Sequence, residues 1–273
     1  PECLKSIDTE AFGCCVGLTS VTLPGSVGNV SDKLFSTCSG LQNVDLQKGV
    51  TNIGRHAFGS CWNLKSIVIP EGVTDIKEDA FYDCRAMTDV AIPSSVTNIE
   101  NGAFSSCTGL EMVHIEDLSA WCRIRFVVES SNPTYCSKRL SIEDSEIRNL
   151  IIPDGVAKIE DMVFCNCTNI ISVVLPDSLK SIGAHAFRSC TGIGKLTIPS
   201  SIDRMGVYAF GGCVKLLAVD FEGAPPEGVS VAAINPDASI RYSAQYANEW
   251  LPVIAECGWT NATPYTPESA DEP

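Results

Sequence analysis

Three classes of residue in this 273-residue chain could carry chemistry: fourteen cysteines, three histidines, and one local group of arginines set among aromatics. Clustered thiols and imidazoles are the raw material of zinc sites and disulfide frameworks. Here the spacing argues against zinc, and side chains that point parallel on adjacent rungs would hold Cβ atoms beyond the ~3.8 Å that a disulfide prefers. Cys15, Cys38, Cys61, Cys84, Cys107, Cys167, Cys190 and Cys213 follow one another at steps of 23 residues or, once, 60. Zinc ligands instead come in converging pairs about two to four residues apart. Cys165 and Cys167 are one residue too close for such a pair, and the side chains of neighbouring Cys14 and Cys15 diverge. Cys122 and Cys136 share one irregular segment that a disulfide between them would pin, whereas Cys3 and Cys257 are expected to be unpaired. His56 and His185 occupy one position, two residues before a phenylalanine, where other units carry Asp79, Gly102 or Tyr208. A position that variable faces solvent. No nucleophile elbow, metalloprotease helix motif, phosphate loop, dinucleotide fingerprint or calcium loop is present. The expectation is a protein without catalytic residues, metal or cofactor.

The arginine group is the one local anomaly. From Trp121 to Arg139 the charged residues are Arg123, Arg125, Lys138 and Arg139 against Glu129 alone, a local +3 in a chain of formal net charge −14. Trp121, Phe126 and Tyr135 lie among them. Aromatic side chains beside arginine are the composition of interaction hot spots, which makes Trp121, Arg123, Arg125, Tyr135, Lys138 and Arg139 the candidate binding residues. The competing reading is structural. Trp121 and Phe126 would anchor the segment, and the arginines would only lay their stems along it.

The cysteine step belongs to a larger pattern. Each of the eight cysteines stands three residues after a phenylalanine: Phe12, Phe35, Phe58, Phe81, Phe104, Phe164, Phe187 and Phe210. Eight coincidences in one register make a tandem array. The clearest unit, Leu64 to Cys84, reads LKSIVIPEGVTDIKEDAFYDC. Alternation over Ile67 and Ile69 predicts a strand with one face inward. Pro70, like Pro24, Pro93, Pro153, Pro176 and Pro199, has no N–H for a ladder and fixes where the strand stops. Val73 and Ile76 give a second, shorter inward edge. Phe81 and Cys84 have the spacing of one helical or 3₁₀ turn. A unit of 23 residues buries such side chains only by stacking, so Leu, Ile, Val, Phe and Cys should each form a ladder down the array.

This register resembles the BspA-type (Treponema-type) leucine-rich repeats, which occur mostly in bacterial surface proteins and some protists. The resemblance covers about residues 1–222. It implies an α/β fold: a leucine-rich-repeat solenoid with stacked parallel strands, short helical turns, one inserted hairpin and a C-terminal cap. It also implies a secreted or cell-surface location and an adhesin-like role.

Two breaks interrupt the step. The 60 residues between Phe104 and Phe164 exceed two repeats by 14, which predicts an insertion over about 116–149. Within it, Leu140–Ser141–Ile142 and Ile147–Leu150 should flank Glu143–Glu146 as a hairpin. After Phe221 the step stops, so 223–260 is expected to be a cap and the proline-rich, acidic 261–273 a disordered tail. At the other end the chain opens in register at Pro1 with no cap, as a piece of a longer array would. That leaves the strand near Thr19–Leu23 with an open edge for self-association.

Composition narrows the function. Hydrophobic residues make up 45% and charged residues 19%, enough apolar material for a real core. Thirty-three acids against nineteen bases exclude the basic face of a nucleic-acid binder, and no apolar run is long enough for membrane insertion. The expected function is non-enzymatic: a module that binds a protein or glycan ligand, of anionic character if the arginine group is used, through the strand face and the insertion. The alternative is a spacer that displays neighbouring domains. Outward strand residues such as Lys65, Ser66, Val68, Asn43 and Asp45 form no dominant patch and leave the two open.

Overall fold

The computed structural model describes residues 4–266 apart from 144, 231, 235 and 236. The chain divides into two compact units, Pro1–Ile147 and Arg148–Pro273. In both, longer strands pair in parallel from repeat to repeat, and two-residue strands form a second parallel ladder.

In the first unit the longer strands are Ser20–Leu23, Asn43–Leu46, Ser66–Val68, Asp89–Ile92, Met112–Ile115 and Leu140–Ile142, neighbours in that order. Their register is set by the buried row Ile67, Val90, Val113 and Leu140, since a slip of one residue would turn that row to solvent. Among the described residues Ser20–Leu23 has one neighbour, Asn43–Leu46. The second ladder runs through Asn29–Val30, Asn52–Ile53, Asp75–Ile76, Asn98–Ile99 and Arg125–Phe126. The rings of Phe12, Phe35, Phe58, Phe81 and Phe104 stack between successive coils, with centroids 5.2–5.5 Å apart.

The phenylalanine segments turn without becoming helices. Two residues per repeat are left-handed, at positions two before and two after the phenylalanine: His56 (φ 50°) and Ser60 (φ 60°) around Phe58, Asp79 (φ 55°) and Asp83 (φ 61°) around Phe81. Alternating right- and left-handed residues points successive N–H groups in different directions. Ala57 and Gly59 bond locally, while His56, Phe58 and Ser60 donate to Glu78, Ala80 and Tyr82 of the next coil. The turn is itself a rung ladder, and that replaces the helical turn expected from the Phe–Cys spacing. His56 and His185 are therefore half-buried turn residues. His56 lies 3.4 Å from Asp79, and His185 stacks on Tyr208.

The cysteine ladder has a polar reason as well as a steric one. Each thiol donates to the phenylalanine carbonyl of the preceding coil: Cys38 to Phe12 (3.0 Å), Cys61 to Phe35 (3.2 Å), Cys84 to Phe58 (3.2 Å), Cys107 to Phe81 (3.1 Å), Cys190 to Phe164 (3.0 Å) and Cys213 to Phe187 (3.1 Å). A small side chain with a weak donor fits under the ring and satisfies the carbonyl. All these thiols are free.

The expected insertion is a repeat in disguise. Arg125–Phe126 continues the second ladder beside Asn98–Ile99, and Leu140–Ile142 continues the first sheet beside Met112–Ile115. The Cys136 thiol donates to the Phe104 carbonyl at 3.5 Å, as a ladder cysteine does, and the residue three before it is Pro133 instead of phenylalanine. Proline at the ring position hides the repeat from a search keyed on Phe-x-x-Cys. The hairpin is real but tighter than expected. Leu140–Ile142 pairs antiparallel with Ser145–Glu146, and Asn149–Ile151 is the first strand of the second unit. Residue 144 of its turn lies outside the described residues.

In the second unit Asn149–Ile151 pairs with Ser172–Val174, and Lys195–Ile198, Ala218–Phe221, Ser239–Ser243 and Thr263–Tyr265 form a parallel sheet. Its second ladder is Lys158–Ile159, Ser181–Ile182 and Arg204–Met205. The rung order thus continues past 222. Trp250, on the helix Ala247–Cys257, closes the core by packing on Phe221 with centroids 4.6 Å apart and donating to the Gly223 carbonyl at 3.0 Å. Order also reaches into the segment expected to be a disordered tail, through Thr263–Tyr265, while 267–273, like Cys3, lies outside the described residues.

Candidate functional site

The six candidate residues do not form one patch. Trp121 ends the helix Leu118–Trp121, which Asp117 caps by accepting from the Ala120 N–H at 2.7 Å. Its indole is 1% exposed and meets Phe126 edge-on, with centroids 5.5 Å apart. That makes it a core side chain, closed to a ligand. Arg123 and Arg125 are exposed, Arg125 at the terminal strand of the second ladder. Tyr135 (48% exposed) lies on the helix Thr134–Ser137, which Lys138 ends in a left-handed conformation (φ 59°). Arg139 stands one residue ahead of Leu140–Ile142 in the first sheet and pairs with Glu146 at 2.9 Å. The structure thus assigns Arg125 to one ladder, leaves Arg123 in the turn before it, and sets Arg139 just ahead of a strand in the other. Nor does a disulfide pin the segment: Cys122 and Cys136 are both free, and burial pushes the Cys122 thiol up to about 12.

The two sheets of the first unit present different surfaces. Along the second ladder the outward side chains bond to one another. Asn52 donates to Asn29, Asn98 to Asp75 (3.4 Å), and the Thr51, Thr74 and Thr97 hydroxyls to the preceding coil's carbonyls. On the first sheet the outward row changes type at each rung: Thr22, Asp45, Val68, Ala91, His114, Ser141. Val68 is 69% exposed there.

That face holds a Ser–His–Asp line which the sequence reading did not anticipate. The Ser141 hydroxyl lies 2.8 Å from His114 Nδ1, and His114 Nε2 lies 3.3 Å from Asp89. A catalytic serine must reach its substrate, and Ser141 is 1% exposed with its hydroxyl also 3.4 Å from the Val113 carbonyl. Its work is to tie the last parallel strand to the sheet. A second unanticipated group surrounds Trp62, which donates to Asp83 at 3.0 Å and lies under Arg85, with Arg85 bonded to Asp83 at 2.7 Å. The Arg85 guanidinium holds the Asp83 carboxyl below the usual range. Trp62 and Arg85 are one 23-residue step apart, a spacing that would have revealed the pair.

The rung order, the ring stack and the thiol-to-carbonyl ladder define the repeat. A family model described as "BspA type Leucine rich repeat region" matches in six copies, over residues 1–120 and 140–229. The chain belongs to the BspA-type leucine-rich repeat family. The gap in that match, 121–139, is the disguised repeat, where proline replaces the ring. Among solved structures this leucine-rich repeat protein is similar to the leucine-rich repeat protein of T. pallidum, at 26% identity over 78% of this chain and 72% of that one, TM-score 0.42. It is also similar to a leucine rich cell surface protein from Faecalibacterium prausnitzii, at 23% identity over 98% and 84%, TM-score 0.39. The pneumococcal vaccine antigen PcpA matches at 13% identity over 91% and 78%, TM-score 0.39. No curated protein matches. Among the described residues no helix is long and apolar enough to cross a membrane, and no group of histidine, cysteine and carboxylate side chains could hold a metal ion.

Proposed function

We propose that this leucine-rich repeat protein is a non-enzymatic binding module, displayed on a bacterial surface or secreted, that holds a protein or glycan ligand on the outward rows of its first sheet. The observation that carries the reading is the contrast within the first unit. One ladder's outward side chains satisfy each other, whereas the other offers a rigid row of unlike side chains, Asp45, Val68 and Ala91, spaced about 4.8 Å apart. Arg123, Arg125, Tyr135, Lys138 and Arg139 border this unit and would favour an anionic ligand. Screening immobilised matrix proteins and glycans tests the reading. Val68→Arg with Asp45→Lys should abolish capture of the ligand found while leaving the melting curve unchanged. Capture that survives this double variant places the ligand elsewhere, and no capture at all favours the spacer. A second copy adding a strand beside Ser20–Leu23 would show as concentration-dependent light scattering.

A further inference from the structure

The second ladder of the second unit departs from its counterpart in the first. Where the first unit repeats Asn29, Asn52, Asp75 and Asn98, the second aligns Lys158, Ser181 and Arg204. Beside this row run Lys180 and Asp203, and on its other side the coils carry Glu160, Gly183 and Gly206 where the first unit has Gly54, Lys77 and Glu100. A Cβ on Gly183 would stand 2.6 Å from the Asp161 nitrogen, and one on Gly206 would stand 2.3 Å from the Ala184 nitrogen. The coils are therefore pressed together on bare backbone. The result is a depression of about 560 Å³ floored by glycine and lined by Lys158, Lys180, Ser181, Asp161, Asp203 and Arg204. That volume lies within the range of roughly 300–1,000 Å³ usual for small-ligand sites.

Its polar groups are only partly spoken for. Lys158 pairs with Glu160 at 2.6 Å, Arg204 with Glu227 at 2.8 Å, and Asp161 accepts from the Ala184 N–H at 2.8 Å. Among the described residues the Lys180 ammonium, the Ser181 hydroxyl and the Asp203 carboxylate have no side-chain partner. With Lys158 and Arg204 each beside a carboxylate, Lys180 is the lining cation without a carboxylate partner among the described residues, and an anionic group in the groove would be held there.

We propose that this groove binds an acidic saccharide, its carboxylate or sulfate on Lys180 and Arg204 and its ring hydroxyls donating to Asp203 and Asp161. The C–H face of a pyranose ring suits a glycine floor between aliphatic lysine stems. The two carboxylates decide between a sugar and an acidic peptide: ring hydroxyls donate to them, whereas ionised peptide acids have no donor to offer. The site is independent of the sheet-face reading, since it uses another ladder and other residues.

Calorimetric titration with a galacturonate hexamer, a heparin-derived hexasaccharide, maltohexaose and poly-glutamate tests the assignment. Binding of either acidic sugar, weakened tenfold or more by Lys180→Gln with Arg204→Gln and by Ser181→Trp, supports the site, and whichever acidic sugar binds names the source of the anion. Arg123→Gln with Arg125→Gln should leave that affinity unchanged, which keeps this result apart from the border residues of the first sheet. Melting curves of all variants should match that of the parent chain. Equal binding of maltohexaose or of poly-glutamate overturns the proposal. So does acidic-sugar binding that both groove variants leave intact, or failure of both acidic sugars to bind.

Discussion

The regular repeat that ends at Cys84 and the widened one that ends at Cys136 do the same work with different residues. In the first, Phe81 stacks between Phe58 and Phe104, and Cys84 donates to the coil before it. In the second, no phenylalanine joins the stack, Pro133 takes its place, and Trp121 with Phe126 fills the interior edge-on. Both strand ladders and the cysteine-to-carbonyl bond nevertheless run through. What the architecture demands is therefore a partner for every backbone group of the coil. The identity of the ring is negotiable, provided the volume is filled.

The largest effect expected to bear on this equivalence is alkaline unfolding. Burial pushes Cys61, Cys107, Cys122 and Cys213 up to about 12, and Cys84 and Cys190 well above their ordinary value. In the unfolded chain these thiols ionise near pH ~8.5. The folded state keeps protons that the unfolded state releases, so this stability is complete below about pH 8.5 and drains as pH rises toward 12. The limit is about 1.4 kcal/mol per thiol per pH unit. Denaturant midpoints measured from pH 7 to 10.5 should fall steeply. Cys61→Ala and Cys122→Ala should flatten that slope alike if the regular and widened repeats are one construction. A slope that neither variant changes would mean that Cys61 and Cys122 are not held as buried neutral thiols.

Next come the rings. Phe81→Ala leaves a cavity in the stack and should cost roughly 3–5 kcal/mol. Trp121→Ala should cost as much, because its indole is equally buried. A loss below about 1 kcal/mol for Trp121, read from urea midpoints at constant slope, would show the widened repeat to be an appendage. Asn132→Ala should fall between, at about 1–3 kcal/mol. The Asn132 side chain is buried, and its oxygen accepts from the Thr134 N–H at 2.9 Å and hydroxyl at 2.7 Å, setting the turn into Thr134–Ser137.

These residues also show what could be read in advance. The strands around Ile67 and Ile76, the proline stops and the stacked phenylalanines were legible, because period and register are properties of the sequence itself. The left-handed residues were not. Asp79, His56, Met162 and Tyr208 share that conformation but no side-chain chemistry, since it is imposed by bonds to the next coil. The rung at Cys136 was missed because the eye follows the ring and Pro133 carries none. At the candidate site, charge and aromatic content were visible from Trp121 to Arg139, but the assignment of Arg125 and Arg139 to different sheets follows from strand pairing that composition does not encode. Trp62 and Arg85 were within reach, one repeat apart, and went unmatched because neither is irregular within its own unit.

The smallest stability effect separates scaffold from surface within the widened repeat. Arg123 and Arg125 are exposed with no ion pair among the described residues, and replacing both by glutamine should move stability by no more than about 0.5 kcal/mol. Arg139→Gln removes the pair to Glu146, where the side chains are 46% and 30% exposed. A pair so open to solvent contributes about 0–1 kcal/mol. Its position still matters, because Glu146 lies on the short strand that pairs with Ser141 and Ile142. If the pair helps hold the hairpin, Arg139→Gln should raise amide exchange at Ser145 and Glu146 and leave the strands Asp89–Ile92 and Met112–Ile115 protected as before. Exchange that rises along the whole sheet would make Arg139 part of the frame, and then the border drawn between the buried Trp121 and the exposed cations would have to move outward by one residue pair.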